Sequence, residues 1–326
     1  MSGRGIGAVG VSIILLTKNA GALLRDALDG IFGQPGSFEV IAVDSGSTDG
    51  TLEILKGYPV RLIRIPPEEF NHGLTRNLGA SKAAHDSEYI VFLSQDAVPL
   101  PGWLDALVRP MVADPSVAGV FSRQVPREGG NPILKRYMTQ EWEQCGGPKK
   151  AIKEITDRAD YERRKGWYTA FGNTSSAVRR EVFGKVSFRA ADFAEDKLWA
   201  QDVLEAGYKI VYEPASKVIH SHDYSLVEQF RQSFDDAASK TAGAFGAEKS
   251  NPLLRLPGKM AKDAVYVWNT DSPLPARIKW LLYIPLWHMA VLMGTVLGMM
   301  RDRLPEGLAM VLSRQARIKH ENSLYV

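Results

Sequence analysis

The stretch Phe38-Glu-Val-Ile-Ala-Val-Asp-Ser-Gly-Ser-Thr-Asp-Gly-Thr51 decides the fold. Its first part is a short apolar run, typical of a strand buried on both faces, and this run stops at Asp44. A turn rich in Gly and Ser then leads into a helix that begins near Thr51. A strand that passes through a polar turn into a helix predicts one step of an alternating strand–helix chain.

The same rhythm recurs on both sides of this stretch. Further strands are predicted at 11–16, 60–65 and 89–93, with helices at 23–32 and 73–84. We therefore expect an α/β fold with a mainly parallel sheet and helices on both faces. Such sheets bind ligands beyond the carboxyl ends of their strands.

Polar residues stand where the predicted strands end. They are Thr17, Asn19, Asp44 and Asp96, and together they predict a site at that edge. Each acid also has a structural interpretation, since Asp44 and Asp49 could stabilise the turn and cap the next helix, and Asp96 could be a turn residue. The chain contains no P-loop motif, and its Gly-x-Gly-x-x-Gly match at 5–10 precedes the first predicted strand instead of following a strand and opening a helix, so it does not indicate a dinucleotide site.

Composition limits the possible functions. The 326 residues include 40 basic and 37 acidic ones, and this balance gives no reason to expect a nucleic-acid partner. The single cysteine, Cys145, excludes an internal disulfide framework and suits a reducing compartment. Residues 1–10 are Gly-rich and lack an apolar signal core, so we expect a flexible N-terminus and a cytoplasmic protein.

Two adjacent carboxylates, Glu195 and Asp196, follow Phe193-Ala194 and open a predicted helix that Gly207 closes. Acids in a first turn are favoured by the helix dipole, so both could be capping residues and nothing more.

In their order, these motifs resemble family 2 glycosyltransferases of the GT-A (Rossmann-like) fold over about residues 11–235. The resemblance rests on 11–19 and on 43–51, which is similar to the family's Val-Asp-Asp-Gly-Ser-Thr-Asp-Gly-Thr element. It divides the domain into a nucleotide-sugar half, 11–100, and an acceptor half, 101–235. The residues that it implies for the nucleotide sugar are Thr17, Asn19, Asp44, Ser45, Asp49, Asn71, Arg76, Gln95, Asp96 and Arg123.

The segment Phe70-Asn-His-Gly-Leu-Thr-Arg-Asn-Leu-Gly79 resembles the bacterial rhamnosyltransferase branch, which uses dTDP-L-rhamnose. Arg76 offers a fork of donors to a diphosphate, and a helix that begins near Gly73 favours anions. Arg76 could instead be a solvated helix residue. The resemblance implies transfer of L-rhamnose in cell-surface polysaccharide or O-antigen synthesis. A UDP-hexose donor is one alternative, and a catalytically inactive nucleotide-sugar binding module is another.

Ser94-Gln-Asp-Ala97 stands in the place of the family's metal-binding Asp-x-Asp motif, with Ser94 replacing the first aspartate. Asp96 and the diphosphate oxygens could still hold Mg²⁺ or Mn²⁺, because these hard ions take oxygen ligands. His220 and His222 share one face if the chain is extended there. The resemblance implies that a histidine at this point reaches the metal, although both could be ordinary loop residues.

Residues 131–164 are charge-rich and predicted to be helical. The residues that line the acceptor are predicted to come after this interval. Trp167 to Ser176 is expected to be a strand and loop that lines the acceptor, with Asn173 and Thr174 binding hydroxyl groups. Trp167 could stack on a sugar or pack into the core. Glu195-Asp196 matches the family's Glu-Asp element. The resemblance thus implies that Asp196 is the base of an inverting transfer, with Glu195 positioning the acceptor or the helix end.

A helix is predicted at 226–249. The C-terminal region, 236–326, is predicted to be helical and to associate with a membrane or form an oligomer contact. Residues 280–300 carry no formal charge and have basic residues on both sides. They could span a bilayer, lie in its interface, or form a soluble core or a homo-oligomer contact. An interfacial position suits a lipid-linked saccharide acceptor and a protein that is peripherally associated with the inner face of the cell membrane.

Overall fold

Nine strands form one mixed sheet in the computed structural model, which describes residues 10–191, 194–241 and 252–314. The strands are β1 (Gly10–Thr17), β2 (Glu39–Asp44), β3 (Val60–Arg64), β4 (Ser87–Ser94), β5 (Val98–Pro99), β6 (Val117–Val125), β7 (Ala151–Lys153), β8 (Ser175–Arg179) and β9 (Lys209–Ile219). Their order is β3-β2-β1-β4-β8-β6-β9-β5, and β7 pairs with β9. The GT-A-like sheet flanked by helices is therefore confirmed.

Helices connect the strands and make up the C-terminal part of the described chain. They are α1 (Leu23–Phe32), α2 (Thr51–Lys56), α3 (His72–Ser81), α4 (Trp103–Ala113), α5 (Pro132–Cys145), α6 (Arg158–Arg163), α7 (Lys165–Tyr168), α8 (Arg180–Lys185), α9 (Glu195–Glu205), α10 (Leu226–Thr241), α11 (Pro252–Trp268), α12 (Leu274–Met299) and α13 (Glu306–Leu312). The remainder of the predicted helix 226–249, beyond residue 241, lies outside the described residues, as do residues 1–9.

The first four long strands, β1 to β4, are parallel as predicted, whereas β8 runs antiparallel to both β4 and β6. The sequence could not give this direction, because β8 is as buried as the parallel strands and has no alternating pattern. Along β1, Ile13 and Leu15 pack against α1 and α4, and Ile14 packs on the opposite face with α3, α8 and α9. The sheet is thus covered by apolar side chains on both faces.

Two compact units make up the chain. The first contains the residues up to Arg127 and Glu141–Ser221, and the second contains Glu128–Gln140 and the described residues from His222 onward. The predicted domain boundary at residue 235 falls inside α10. The interval 131–164, predicted to be helical, contains β7 between two helices.

In the second unit, α12 packs closely on α10. A Cβ added at Gly294 or Gly298 would lie 2.2 or 2.3 Å from the carbonyl oxygen of Phe230 or Phe234, so this packing requires glycine. The opposite side of α12 exposes an apolar stripe, consisting of Leu274, Ile278, Leu282, Leu286, Met289 and Met293. Among the described helices, α12 alone is long and apolar enough to cross a membrane, judged by length and composition.

Candidate active site

The carboxyl ends of β1, β2 and β4 meet at one edge of the sheet, as the strand pattern predicted. Thr17 pairs in register with Asp44, and Leu16 pairs with Ser94. The polar side chains that follow these strands are therefore neighbours.

Asp44 is fully buried and its carboxylate is held by the chain itself. Oδ1 accepts the N–H groups of Gly46 (3.0 Å) and Ser47 (2.9 Å), and Oδ2 accepts the hydroxyls of Thr17 (3.0 Å) and Ser47 (2.5 Å). This is the turn-stabilising arrangement that the sequence left open. A direct contact with the nucleoside remains a prediction.

Asn19 fastens the same turn from the β1 side. Its backbone is left-handed, with φ of +44°, and its side-chain oxygen accepts the N–H of Thr48 at 2.8 Å. The N–H of Asn19 donates to the Ser47 hydroxyl at 2.9 Å, and the Ser45 hydroxyl donates to the carbonyl of Thr17 at 3.3 Å. The loop between β2 and α2 is thus held on the end of β1.

Asp49 and Gln95 also bind backbone groups. The Asp49 carboxylate accepts the N–H of Thr51 (3.0 Å) and that of Gly21 (3.2 Å), so it fixes the start of α2. Gln95 accepts the N–H of Lys18 at 2.8 Å and donates to its carbonyl at 3.1 Å, which ties the end of β4 to the end of β1.

Asn71 caps α3, because its side-chain oxygen accepts the N–H groups of Gly73 and Leu74, each at 3.1 Å. The two N–H groups that we expected to favour an anion therefore already have a partner. Gly73 is required for close packing, since a Cβ there would lie 2.5 Å from the carbonyl oxygen of Arg189. One turn later, Arg76 is buried and its Nη1 lies 2.7 Å from Glu195 Oε1. The solvated interpretation of Arg76 is wrong, and its diphosphate contact remains a prediction.

Asn173 links the two carboxylates at the start of α9. Its side-chain Nδ2 donates to Glu195 Oε1 at 3.2 Å, and its backbone N–H donates to Asp196 Oδ2 at 3.3 Å. The Ser176 hydroxyl donates to Asn173 Oδ1 at 2.9 Å, which fixes the orientation of the amide. Arg76, Glu195, Asn173 and Asp196 thus form one connected group.

Asp196 has the electrostatics of a base. Burial raises the pKa of its carboxyl group to about 6, and repulsion from Glu195 contributes to this rise, while Lys197 and Arg76 oppose it. A carboxylate whose pKa lies near the working pH is suited to accept a proton. Because Glu195 binds Arg76 and Asn173, capping alone does not account for the acidic pair.

Ala194, directly before this pair, has a left-handed backbone with φ of +61°. This conformation is unfavourable for a residue with a Cβ and is found mainly at functional or tightly constrained positions. The sequence contained no signal for it, since alanine is not a residue that favours positive φ. Phe193, at the start of the predicted turn, lies outside the described residues.

Asp96 and His220 form a second group in the first unit. His220 Nε2 lies 3.5 Å from Asp96 Oδ1, and its Nδ1 is 2.8 Å from Gln124 Oε1, which orients the ring. Carboxylate oxygen suits Mn²⁺, and neutral imidazole is a common metal ligand in general. Sequence reasoning missed Gln124, which lies next to Arg123. His222, the third predicted ligand, begins the second unit.

Arg123 lies on β6 with its guanidinium 3.8 Å from the centre of the Trp142 ring. Its Nε is buried and has no hydrogen-bond partner among the described residues. Buried donors normally have partners, so this atom is an exception among the described residues.

The other predicted acceptor residues have structural contacts. Trp167 lies on α7 rather than on a strand, donates to the carbonyl of Gln144 at 3.1 Å, and packs half-buried against the core. The strand prediction for Trp167 was wrong, because tryptophan also packs well from a short helix. The carbonyl of Thr174 accepts the N–H of Ser94 at 2.9 Å, and hydroxyl binding by Thr174 remains a prediction.

Comparison with known proteins identifies the family and the fold. The model of the family "Glycosyl transferase family 2" matches residues 12–186. An O-antigen chain rhamnosyltransferase of Salmonella typhimurium is 34% identical over 232 residues, which are 69% of this chain and 70% of that protein. A second O-antigen chain rhamnosyltransferase, from Salmonella anatum, is 35% identical over 201 residues, which are 60% of this chain and 61% of that protein.

A solved structure has the same fold. It is a mannosyltransferase from Pyrobaculum calidifontis in complex with GDP-Man and Mn²⁺, and it superposes with a TM-score of 0.59 at 18% identity. The match covers 93% of this chain and 91% of that one.

Proposed function

The chain belongs to glycosyl transferase family 2 and is a glycosyltransferase, and on that premise we propose that it transfers L-rhamnose from dTDP-L-rhamnose to a lipid-linked saccharide in O-antigen synthesis. The names of both Salmonella relatives support the sugar and the pathway. The observation that carries the catalytic part is the half-buried Asp196 carboxyl, which accepts the N–H of Asn173 and whose pKa is raised to about 6.

Asp196 is the proposed base. It accepts the proton of the acceptor hydroxyl as that oxygen attacks the anomeric carbon from the face opposite dTDP, and dTDP leaves with the electron pair of the broken C–O bond. The configuration at the anomeric carbon is therefore inverted. Glu195, held by Arg76 and Asn173, is a positioning residue that fixes the start of α9 and keeps the pKa of Asp196 high. Positioned proton transfer of this kind contributes roughly 10²–10⁴-fold in rate.

A divalent cation, when bound, would neutralise charge on the departing diphosphate. The proposed ligands are Asp96 and His220, with His222 as a third. The pairing of His220 with Gln124 supports this set because metal-binding imidazoles are commonly oriented through their second nitrogen. Arg123 is a further proposed contact for the diphosphate or the sugar, and its Nε has no hydrogen-bond partner within the described part of the chain.

The cytoplasmic face of the cell membrane is the proposed location. The exposed apolar stripe of α12 and the basic residues at 277, 279, 301 and 303 suit a helix that lies in the interface. Contact with a second copy of the chain is the other way to cover this stripe, and sedimentation in detergent distinguishes the two.

Thermal shift with a panel of nucleotide sugars, with and without Mn²⁺, tests the donor. Ligand at about 100 times its Kd stabilises the folded state by about 2.7 kcal/mol. We expect dTDP-L-rhamnose and dTDP to stabilise most, and more so with Mn²⁺. Preferential stabilisation by UDP-hexoses would overturn the rhamnose assignment. Binding of dTDP-L-rhamnose with no release of dTDP when saccharide acceptors are supplied would favour an inactive binding module.

A further inference from the structure

Lys153 is fully buried, and a lysine is rarely buried in this way unless a charged partner accompanies it. It is the last residue of β7, which pairs with β9. The burial along β7 is the reverse of what polarity predicts, because Ile152 is 56% exposed while Lys153 is 0% exposed. A shift of the strand by one residue would bury the isoleucine and expose the lysine. The fold therefore places this amine in the interior in preference to an apolar side chain.

Aromatic rings and a backbone carbonyl surround the amine. Its Nζ lies 4.7 Å from the centre of the Phe121 ring and 5.4 Å from that of the Trp167 ring, and it donates to the carbonyl oxygen of Ala170. In the part of the chain that the structure describes, no carboxylate pairs with it. Burial lowers the pKa of Lys153 to about 7, and the thiol of Cys145 opposes this shift. Because an amine has N–H groups whether or not it is charged, it can hold the carbonyl in both forms.

The Ala170 carbonyl stands at the start of a short segment that ends at the acidic pair of α9. Phe171 packs on that helix, with its ring centre 5.0 Å from that of Trp199. Two residues later, the backbone N–H of Asn173 donates to Asp196 Oδ2 at 3.3 Å. Consecutive Cα atoms are held about 3.8 Å apart by rigid peptide bonds, so a displacement of Ala170 is passed on to Asn173.

The hydrogen bond from Asn173 to Asp196 is sensitive to such a displacement. Its length of 3.3 Å already exceeds the usual range of about 2.7–3.2 Å for N–H donors to oxygen. A small further movement of the segment would break it. The position of this donor therefore depends on what holds the segment at its other end, and the buried amine of Lys153 holds it there.

We propose that Lys153 is a positioning residue that keeps Asn173 against the base Asp196. Its amine fixes the Ala170 carbonyl, and the segment that follows carries the N–H of Asn173 to the carboxylate. The lysine acts through this segment and not by touching the reacting groups. The inference rests on the proposed role of Asp196 and identifies what orients the hydrogen-bond donor of that carboxylate.

Lys153→Met in the full chain tests the inference. Methionine is also long and unbranched and adapts to the shape of its surroundings, but it has no N–H to offer the Ala170 carbonyl. The control is Lys185→Met on α8, whose side chain is 59% exposed and pairs with the exposed Glu181. Single-turnover transfer is measured with the nucleotide sugar that the thermal shift selects.

Lys153→Met should lower the rate of transfer about 10–100-fold, because a small misplacement of groups around the reacting atoms costs up to about 10²-fold. The variant should remain folded, since an apolar side chain of similar volume removes the cost of burying the amine. Lys185→Met should transfer at the natural rate. A natural rate in Lys153→Met would overturn the proposal. So would a failure of Lys153→Met to fold, because the lysine would then be a requirement of the fold itself.

The pH profile of transfer separates positioning from a general loss of packing. A hydrogen bond donated to an ionised carboxylate lowers its pKa, so loss of the Asn173 donor should move the acidic limb of the profile to higher pH in Lys153→Met. Glu195→Gln should move the same limb in the opposite direction, because it removes a like charge beside Asp196. A reduced rate with an unmoved limb in Lys153→Met would overturn the proposal.

These outcomes distinguish this inference from the proposed function. If Asp196 is not the base, Asp196→Asn will retain turnover whatever the effect of Lys153→Met. If only the present inference is wrong, Asp196→Asn will be strongly impaired, while Lys153→Met will transfer at the natural rate with the natural pH profile. Retention of the thermal shift with the donor verifies that each variant is folded.

Discussion

Asp44 and Asp196 are both surrounded by protein at the candidate site, but the chain treats the two carboxylates in opposite ways. Asp44 accepts four hydrogen bonds, which is about the full capacity of a carboxylate. Asp196 accepts two from the described residues, both from backbone N–H groups. The carboxylate of Asp44, whose hydrogen-bonding capacity is filled, holds a loop in place. The carboxylate of Asp196 keeps lone pairs that can accept a proton.

Local structure produces this difference. Asp44 ends a strand, and the turn that follows directs its own N–H groups back to the carboxylate. Asp196 follows the left-handed Ala194 in the first turn of α9, where Glu195 supplies a repelling charge. Nearness to a like charge and burial both favour the protonated form of Asp196.

The largest expected effect is on catalysis. Asp196→Asn should reduce transfer by about 10²–10⁴-fold, because the amide cannot accept the proton, with little change in the affinity for dTDP-L-rhamnose. Release of dTDP with acceptor present measures the rate. The control is Asp202→Asn on the same helix, whose carboxylate pairs with the exposed Arg189, and it should retain near-natural activity. Near-natural turnover in Asp196→Asn would assign the base to another residue.

The next effect is on stability. Arg76→Gln removes one partner of a buried ion pair whose side chains are 10% and 8% exposed, and it should cost about 3–5 kcal/mol. Arg189→Gln, which breaks the more exposed pair with Asp202, should cost less than about 1 kcal/mol. Urea unfolding compares the two. Equal losses of unfolding free energy in the two variants would mean that Glu195 does not need Arg76 as its partner in the folded state.

A smaller loss is expected at the saturated carboxylate. Asp44→Asn places an NH₂ group against existing donors and should lower the free energy of unfolding by about 1–3 kcal/mol. Asp49→Asn removes the same charge from the same turn, but its exposed side chain can still accept an N–H, so we expect less than about 1 kcal/mol. If Asp44→Asn instead left stability unchanged and abolished nucleotide binding, Asp44 would be a ligand-binding residue rather than a loop-holding one.

The smallest effect is the pH dependence of stability. The pKa of Asp196 is raised from 3.8 to about 6 in the folded state, so the protonated form contributes stability that is fully present below about 3.8 and is lost as the pH rises through about 6. Between pH 4 and pH 7, the free energy of unfolding should therefore fall by about 1–2 kcal/mol less in Asp196→Asn than in the natural protein. This figure is reduced from the full effect because Asp196 is partly exposed. Identical pH dependence of the two proteins in urea unfolding would contradict the raised pKa.

The sequence predicted the features that depend only on residues close together in the chain. The apolar runs that end at Thr17 and Asp44 specify buried strands, and parallel pairing brings their ends together without further information. The start of α9 at Glu195 also follows from local pattern.

Features that depend on distant partners could not be predicted. Arg76 and Glu195 are 119 residues apart, so nothing near either residue indicates the ion pair. The four donors to Asp44 and the packing of Trp167 from a helix depend likewise on the folded arrangement. Asn173, which contacts both carboxylates, lies just before β8, and the sequence of a buried strand does not reveal that β8 runs antiparallel to β4.

The pH dependence of single-turnover transfer tests the central claim most directly, namely that Asp196 is a half-buried base with a raised pKa. The rate should rise about tenfold per pH unit up to about pH 6 and then level off. In Glu195→Gln this limb should move to lower pH, because the neighbouring negative charge is gone. A rate that is independent of pH between 4.5 and 7, or a limb near pH 6 that persists in the residual activity of Asp196→Asn, would contradict it.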